Sequence, residues 1–104
     1  MAKVEILEGG SYLVMWNSLK SKVPDCRWYE IFVEIPGQKM VKAGVADLNP
    51  EMEKKGYSFI IPGVNYIKKP LPKGTKVHVI PFVSNKMKVA KDEIAICPFP
   101  QPDI

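Results

Sequence analysis

The side chains that could carry acid–base or nucleophilic chemistry are few and widely spaced in this chain of 104 residues. His78 is the only histidine, so any Ser-His-Asp or Cys-His arrangement must include it. It stands between Val77 and Val79 in an alternating stretch, which predicts that it points away from the core of a sheet. We interpret it as a surface residue of a strand rather than as a catalytic base.

Paired carboxylates are the other arrangement that could support general acid–base catalysis. Glu30 and Glu34 share one face of a predicted strand, but strand geometry separates them by about 13 Å. That distance is too long for an acid and a base acting on one bond. Glu51 and Glu53 belong to the start of a predicted helix, where the helix dipole stabilises acidic side chains. The sequence therefore predicts a protein that is not an enzyme.

The cysteines and glycines indicate no metal, cofactor or phosphate site. Cys26 and Cys97 are far apart, whereas zinc ligands come in pairs a few residues apart. At opposite poles of a sandwich they are expected to remain free thiols, because a disulfide needs Cα atoms within about 7 Å of each other. Gly9 and Gly10 precede a strand instead of opening a helix, unlike a P-loop or a dinucleotide-binding motif. We expect no bound metal and no cofactor.

The composition is that of an ordinary globular protein, with 46% apolar and 25% charged residues. The length predicts one domain, residues 1–97, followed by a proline-rich tail, residues 98–104. No apolar run approaches the ~20 residues of a membrane helix, and the N-terminus lacks the apolar stretch of a signal peptide. These observations favour a cytoplasmic protein or a component of a particle assembled inside the cell. An extracellular location is expected only for a domain excised from a longer protein.

The net charge of +4 is distributed unevenly along the chain. Residues 1–53 contain six basic and eight acidic side chains, a balance of −2, and residues 54–104 contain nine and three, a balance of +6. Arg27 is the only arginine, although specific nucleic-acid recognition usually relies on the bidentate arginine fork. We predict no specific nucleic-acid binding, and at most a weak polyanion site at four lysines: Lys68, Lys69, Lys73 and Lys76.

Alternating apolar residues predict an all-β chain of seven short strands. The clearest cases are residues 11–16 (SYLVMW) and residues 27–33 (RWYEIFV), in which every second residue is apolar and Trp16 is the expected core anchor. The seven strands are predicted at 4–7, 12–18, 27–35, 39–45, 57–61, 75–80 and 90–97, with a turn at 84–87. Asn49 and Pro50, followed by acidic residues, predict one short helical turn near 50–55. This pattern indicates a seven-stranded antiparallel Greek-key β-sandwich.

Three segments resemble fibronectin type III domains. Residues 11–16 look like the second strand of that family, where a tryptophan closes an alternating apolar stretch. Residues 27–33 resemble its third strand, and residues 71–79 (LPKGTKVHV) resemble its leucine–glycine corner running into the sixth strand. The resemblance extends over roughly residues 11–96 and implies an immunoglobulin-like sandwich.

Two positions and one segment depart from the pattern of that family, the segment being an apparent insertion at residues 65–70 before the corner. Val77 stands where the family has a corner tyrosine, so the hydrogen bond from that hydroxyl to the backbone is missing. Pro81 falls within the predicted sixth strand, and a central strand tolerates proline badly. We therefore expect a bulge, or the end of the strand, at Pro81.

The strand register predicts a band of apolar residues on the outer face of one sheet. Because the alternation sends Tyr29, Val77 and Val79 inward, it places five neighbours outside: Trp28, Phe32, His78, Ile80 and Phe82. Such a band is typical of an association surface, unless residues 65–72 or the tail cover it. We predict a non-catalytic protein–protein interaction or assembly module that binds a protein partner or itself. It is either a small structural subunit of a larger particle or an excised domain of a longer protein.

Two alternative functions remain open at this stage. In the first, the protein is an accessory domain that binds a carbohydrate or another ligand, with Trp28 and its aromatic neighbours as a stacking platform. In the second, the lysine-rich second half binds polyanions weakly.

Overall fold

The fold was obtained as a computed structural model, which describes residues 2–7, 10–61, 71–83, 86–87 and 93–96. These residues form eight strands and one helix, which confirms the all-β prediction. The strands are β1 (Lys3–Ile6), β2 (Tyr12–Trp16), β3 (Trp28–Glu34), β4 (Val41–Asp47), β5 (Tyr57–Ile61), β6 (Lys76–Val83), β7 (Lys86–Met87) and β8 (Glu93–Ile96). The helix α1 (Pro50–Lys55) lies between β4 and β5. The predicted tail, residues 98–104, lies outside the described residues.

The strands form two antiparallel sheets. The first has the order β1-β2-β5, and the second has the order β4-β3-β6, with both β7 and β8 paired to β6. β7 pairs with Phe82 and Val83, whereas β8 pairs with residues 76–79, so the two short strands follow one edge of β6 in succession. The predicted turn at 84–87 is therefore wrong for its last two residues, which form β7. The last strand predicted at 90–97 is confirmed for residues 93–96, which form β8, and its other residues lie outside the described ranges.

The core lies between the sheets and is built from the alternating residues of the strands. Trp16 is at its centre: its ring stacks on Tyr57 with a centroid distance of 5.4 Å and meets the edge of Tyr29 at 5.5 Å. Aromatic pairs at these distances stabilise a core beyond the effect of buried area alone. The buried residues of β2 and β3 are Tyr12, Val14, Trp16, Tyr29, Ile31 and Val33. The predicted alternation of both strands is confirmed.

Pro81 does not interrupt β6, so the expectation of a bulge or strand end at this residue is wrong. The pairing of β3 with β6 is continuous, and Pro81 is buried opposite Tyr29. The carbonyl of Phe82 accepts a hydrogen bond from the Arg27 amide on the β3 side at 2.8 Å, so the amide position of Pro81 faces the opposite edge. On that edge β7 and β8 pair with the residues on either side of Pro81, and no described residue pairs with Pro81 itself. The missing N–H therefore removes no ladder hydrogen bond from the described sheet.

The helix α1 begins and ends where the sequence predicts. The Asn49 side chain accepts hydrogen bonds from the backbone amides of Glu51 at 2.9 Å and Met52 at 3.1 Å, and Pro50 occupies the first turn. Gly56 ends the helix with φ of 107°, a conformation that only glycine adopts easily. The predicted short helical turn near 50–55 is confirmed.

A hydroxyl-to-backbone hydrogen bond links the two sheets where the chain approaches β6. The Leu71 amide donates to the Tyr12 hydroxyl at 2.9 Å, and both residues are buried. Because Tyr12 belongs to the first sheet and Leu71 leads into the second, the bond fixes the start of β6 relative to β2. A backbone amide buried without such an acceptor would destabilise this approach.

Candidate interaction surface

The second sheet brings the five predicted residues together on its outer face. Antiparallel pairing places Trp28 opposite Phe82 and Phe32 opposite His78. Residues that oppose each other in an antiparallel pair project to the same side of the sheet. We define the outer face by the eight residues of β3 and β6 that share this side: Trp28, Glu30, Phe32, Glu34, Lys76, His78, Ile80 and Phe82.

The five predicted residues differ in their solvent exposure. Trp28, Phe32 and Phe82 are half-buried, whereas Ile80 is only 4% exposed and His78 only 6%. The expectation of a surface histidine is thus wrong, although its side of the sheet is as predicted. His78 lies in the stretch of β6 that pairs on both edges, with β3 on one side and β8 on the other.

His78 is held by a carboxylate on the neighbouring strand. Its Nε2 lies 2.9 Å from Oε1 of Glu34, whose side chain remains 46% exposed. The sequence relates Glu34 only to Glu30, as a carboxylate on the same face of one strand. The signal that relates it to His78 is the strand register, which only the pairing of β3 with β6 supplies.

Trp28 and Phe82 form an aromatic pair at one end of the outer face. Their rings are stacked, with centroids 5.7 Å apart and planes inclined by 12°. The indole Nε1 of Trp28 donates to Oε2 of Glu30 at 2.9 Å, and Nζ of Lys42 on β4 lies 3.6 Å from Oε1. Because the Glu30 side chain is only 13% exposed, these contacts orient the indole ring. Alternation along the chain does not predict the contact of Lys42, because that contact depends on the pairing of β4 with β3.

The four lysines predicted to bind anions are not all within the described residues. Lys73 and Lys76 are exposed, and Lys76 lies opposite Glu34 in the β3–β6 pairing. Lys68 and Lys69 lie outside the described residues. Grouping of these lysines into one surface therefore stays a prediction.

A second group of polar side chains, which the sequence did not predict, attaches α1 to the sheets. Ser18 donates to Oε1 of Glu53 at 2.5 Å, and the Tyr57 hydroxyl donates to Oε2 of the same carboxylate. The Asn49 amide donates to the Tyr57 oxygen at 3.2 Å. Burial, reinforced by the bond to Glu53, raises the pKa of Tyr57 well above its usual range. The tyrosine therefore acts as a structural hydrogen-bond donor rather than as a base.

The one cysteine within the described residues is not activated as a nucleophile. Cys26 is a buried free thiol that donates to the Trp28 carbonyl at 3.3 Å, and burial raises the pKa of this thiol. The thiolate is the reactive form, so this shift disfavours nucleophilic chemistry. Cys97 lies outside the described residues. Within the described ranges, no group of three or more histidine, cysteine or acidic residues could hold a metal ion.

The described part of the chain contains no helix long and apolar enough to cross a membrane. No protein-family model, curated protein sequence or solved structure significantly matches this chain.

Proposed function

We propose that this protein is a non-catalytic interaction or assembly module that binds a protein partner, or a second copy of itself, through the outer face. The supporting observation is the stacked pair Trp28 and Phe82, half-buried on a sheet face with Phe32 further along β3. Aromatic side chains of this kind are the usual anchors of protein–protein interfaces. Ile80 and His78 lie on the same side of the sheet but are nearly inaccessible to solvent, so they pack beside these anchors and offer little surface to a partner.

The finer architecture belongs to the same proposal: a Greek-key sandwich of the fibronectin type III kind. Two observations support it. β2 pairs with β5 and β3 pairs with β6, so the chain passes from one sheet to the other after β2, β4 and β5. The Tyr12 hydroxyl accepts a hydrogen bond from the Leu71 amide. This bond from β2 takes the place of the hydroxyl-to-backbone bond that a corner tyrosine would make and that Val77 cannot make. The edge shared by β7 and β8 takes the position of one last strand.

A protein partner suits the outer face better than a carbohydrate. A sugar ring stacks flat on an open aromatic face, but Phe82 covers one face of Trp28. The polar groups beside the pair are already engaged: Nε1 of Trp28 donates to the Glu30 carboxylate, and that carboxylate also meets Lys42. A surface whose side chains are fixed in advance loses little conformational entropy on association, which favours binding to another preformed surface.

The proposal is tested by placing a charge on the outer face. Phe32→Lys should weaken self-association, or binding to an isolated partner, by roughly ten-fold or more while the fold is retained, because the side chain points away from the core. Ile60→Lys is the matched control, since Ile60 is 53% exposed on the opposite sheet. Sedimentation over a concentration series and chemical denaturation should be measured side by side.

Two outcomes would contradict or narrow the proposal. If the wild-type protein stays monomeric at high concentration and Phe32→Lys unfolds, the outer face is an internal packing surface and the proposal fails. If both proteins are folded monomers, self-association is excluded and only binding to a different protein remains.

A further inference from the structure

A β-bulge in β4 lies at the side of the sandwich where β4 meets β5. The pairing of β3 with β4 shifts between Ile31 and Phe32, which leaves Ala43 as an extra residue in β4. A Cβ placed on the neighbouring Gly44 would lie only 2.0 Å from Cζ of Phe59 on β5. Phe59 therefore closes the gap between the strands at Gly44, where a side chain has no room.

Beyond Phe59, toward the turn between β3 and β4, the gap remains open as a cavity of about 140 Å³. This volume is close to that of a protein cavity that accommodates a benzene ring. Its apolar lining consists of Val33, Ile35, Val41, Ala43 and Ile61. Val41 is 58% exposed although it pairs with the core residue Val33, so an apolar side chain stands open to water beside the cavity.

The polar lining of this cavity favours negative charge. It consists of Gln38, Lys39 and Lys42, and no acidic residue is among the described lining residues. The ammonium of Lys42 is shared with Glu30 at 3.6 Å, so the exposed Lys39 supplies the available positive charge. An anionic group beside Lys39 would be attracted by the lysine ammonium, and no carboxylate among the described lining residues would repel it.

We propose that this cavity binds a small apolar carboxylate. Its ring or short alkyl chain lies between Val33 and Ile61, and its carboxylate lies at Lys39. Both parts of the ligand are needed, since the apolar lining recognises one end and the lysine recognises the other. The cavity lies between the sheets and not on the outer face, so this binding is independent of the proposed partner interaction.

The test uses three ligands that share one ring and differ in charge: benzoate, benzyl alcohol and benzylamine. Each is titrated into the whole protein while backbone amide shifts are followed by NMR. Benzoate should bind with a dissociation constant on the order of 1 mM, as expected for a ligand of this size. The largest shifts should fall on Val33, Val41, Ala43 and Ile61, benzyl alcohol should bind more weakly, and benzylamine should bind least.

Two variants and one control decide whether the site is the cavity. Lys39→Glu should weaken benzoate binding by roughly three- to ten-fold and improve benzylamine binding, whereas Lys20→Glu, an exposed lysine before β3, should change neither. Ala43→Leu should fill the cavity and abolish the shifts. The proposal is overturned if benzoate causes no saturable shifts, if benzylamine binds equally well, or if Lys39→Glu leaves benzoate binding unchanged.

Discussion

The two tryptophans of this protein have similar aromatic partners but opposite surroundings. Trp16 stacks on Tyr57 at 5.4 Å with planes inclined by 7°, and Trp28 stacks on Phe82 at 5.7 Å with planes inclined by 12°. Trp16 is 2% exposed, whereas Trp28 is half-buried. The Trp28 indole donates to Glu30, while Nε1 of Trp16 is buried with no hydrogen-bond partner among the described residues.

This difference shows how each ring is held. A buried N–H without an acceptor destabilises the fold, so Trp16 must be retained by the packing of its ring between the sheets. Trp28 is oriented by a bond to Glu30 and by one stacked neighbour, and part of its surface still meets water. Trp16 therefore serves stability, whereas Trp28 is the ring through which the proposed partner contact would form.

The largest expected effect distinguishes the two sites directly. Trp16→Ala should lower the free energy of unfolding by about 3–5 kcal/mol, as truncation of a large core aromatic does. Trp28→Ala should cost only about 1–2 kcal/mol, because the ring is half-buried and its loss leaves no closed cavity. Urea denaturation of both variants gives the comparison. Equal losses, or a loss below about 1 kcal/mol for Trp16→Ala, would mean that Trp16 is not the core anchor.

A smaller loss of stability is expected at alkaline pH, and it involves Tyr57, on which Trp16 stacks. Burial and the bond to Glu53 raise the pKa of Tyr57, and burial also raises that of Tyr29. The unfolded chain loses these protons near pH 10, while the folded protein keeps them. The stability that the two protonated hydroxyl groups contribute to the fold is therefore complete below about pH 10 and is lost as the pH rises above it.

The measurement is the free energy of unfolding between pH 8 and pH 11. Tyr57→Phe should make its decline with pH shallower than in the wild-type protein, with the remaining slope due to Tyr29 and Cys26, whose pKa is also raised. Identical slopes in both proteins would show that the Tyr57 hydroxyl is not protected in the folded state.

The smallest effect tests what orients Trp28. Glu30→Ala removes the acceptor of the indole N–H and the partner of Lys42, and should cost about 1 kcal/mol. It should also increase acrylamide quenching of Trp28 fluorescence, measured with Trp16 replaced by Phe. Glu30→Gln keeps an acceptor and should leave the quenching nearly unchanged. If Glu30→Ala also leaves the quenching of Trp28 unchanged, stacking on Phe82 alone positions the ring.

Local patterns in the sequence determined the elements and the direction of their side chains. The alternation in β2 and β3 predicted which residues face the core, because a strand sends successive side chains to opposite sides. Asn49, Pro50 and Gly56 predicted the limits of α1, because capping depends on neighbouring residues. Trp16 at the core and Trp28 on the other side of a strand follow from the same rule.

Burial, pairing and hydrogen-bond partners were decided only by the tertiary structure, because they depend on residues far apart in the chain. His78 and Ile80 are buried on the outer side of β6, and alternation along one strand does not reveal burial. Pro81 is tolerated because its amide position faces the edge of β6 away from β3, where no described residue pairs with it. Ser18 meets Glu53 across 35 residues of sequence. A residue's own neighbours set the side to which it points, and the packed sheets set what it meets there.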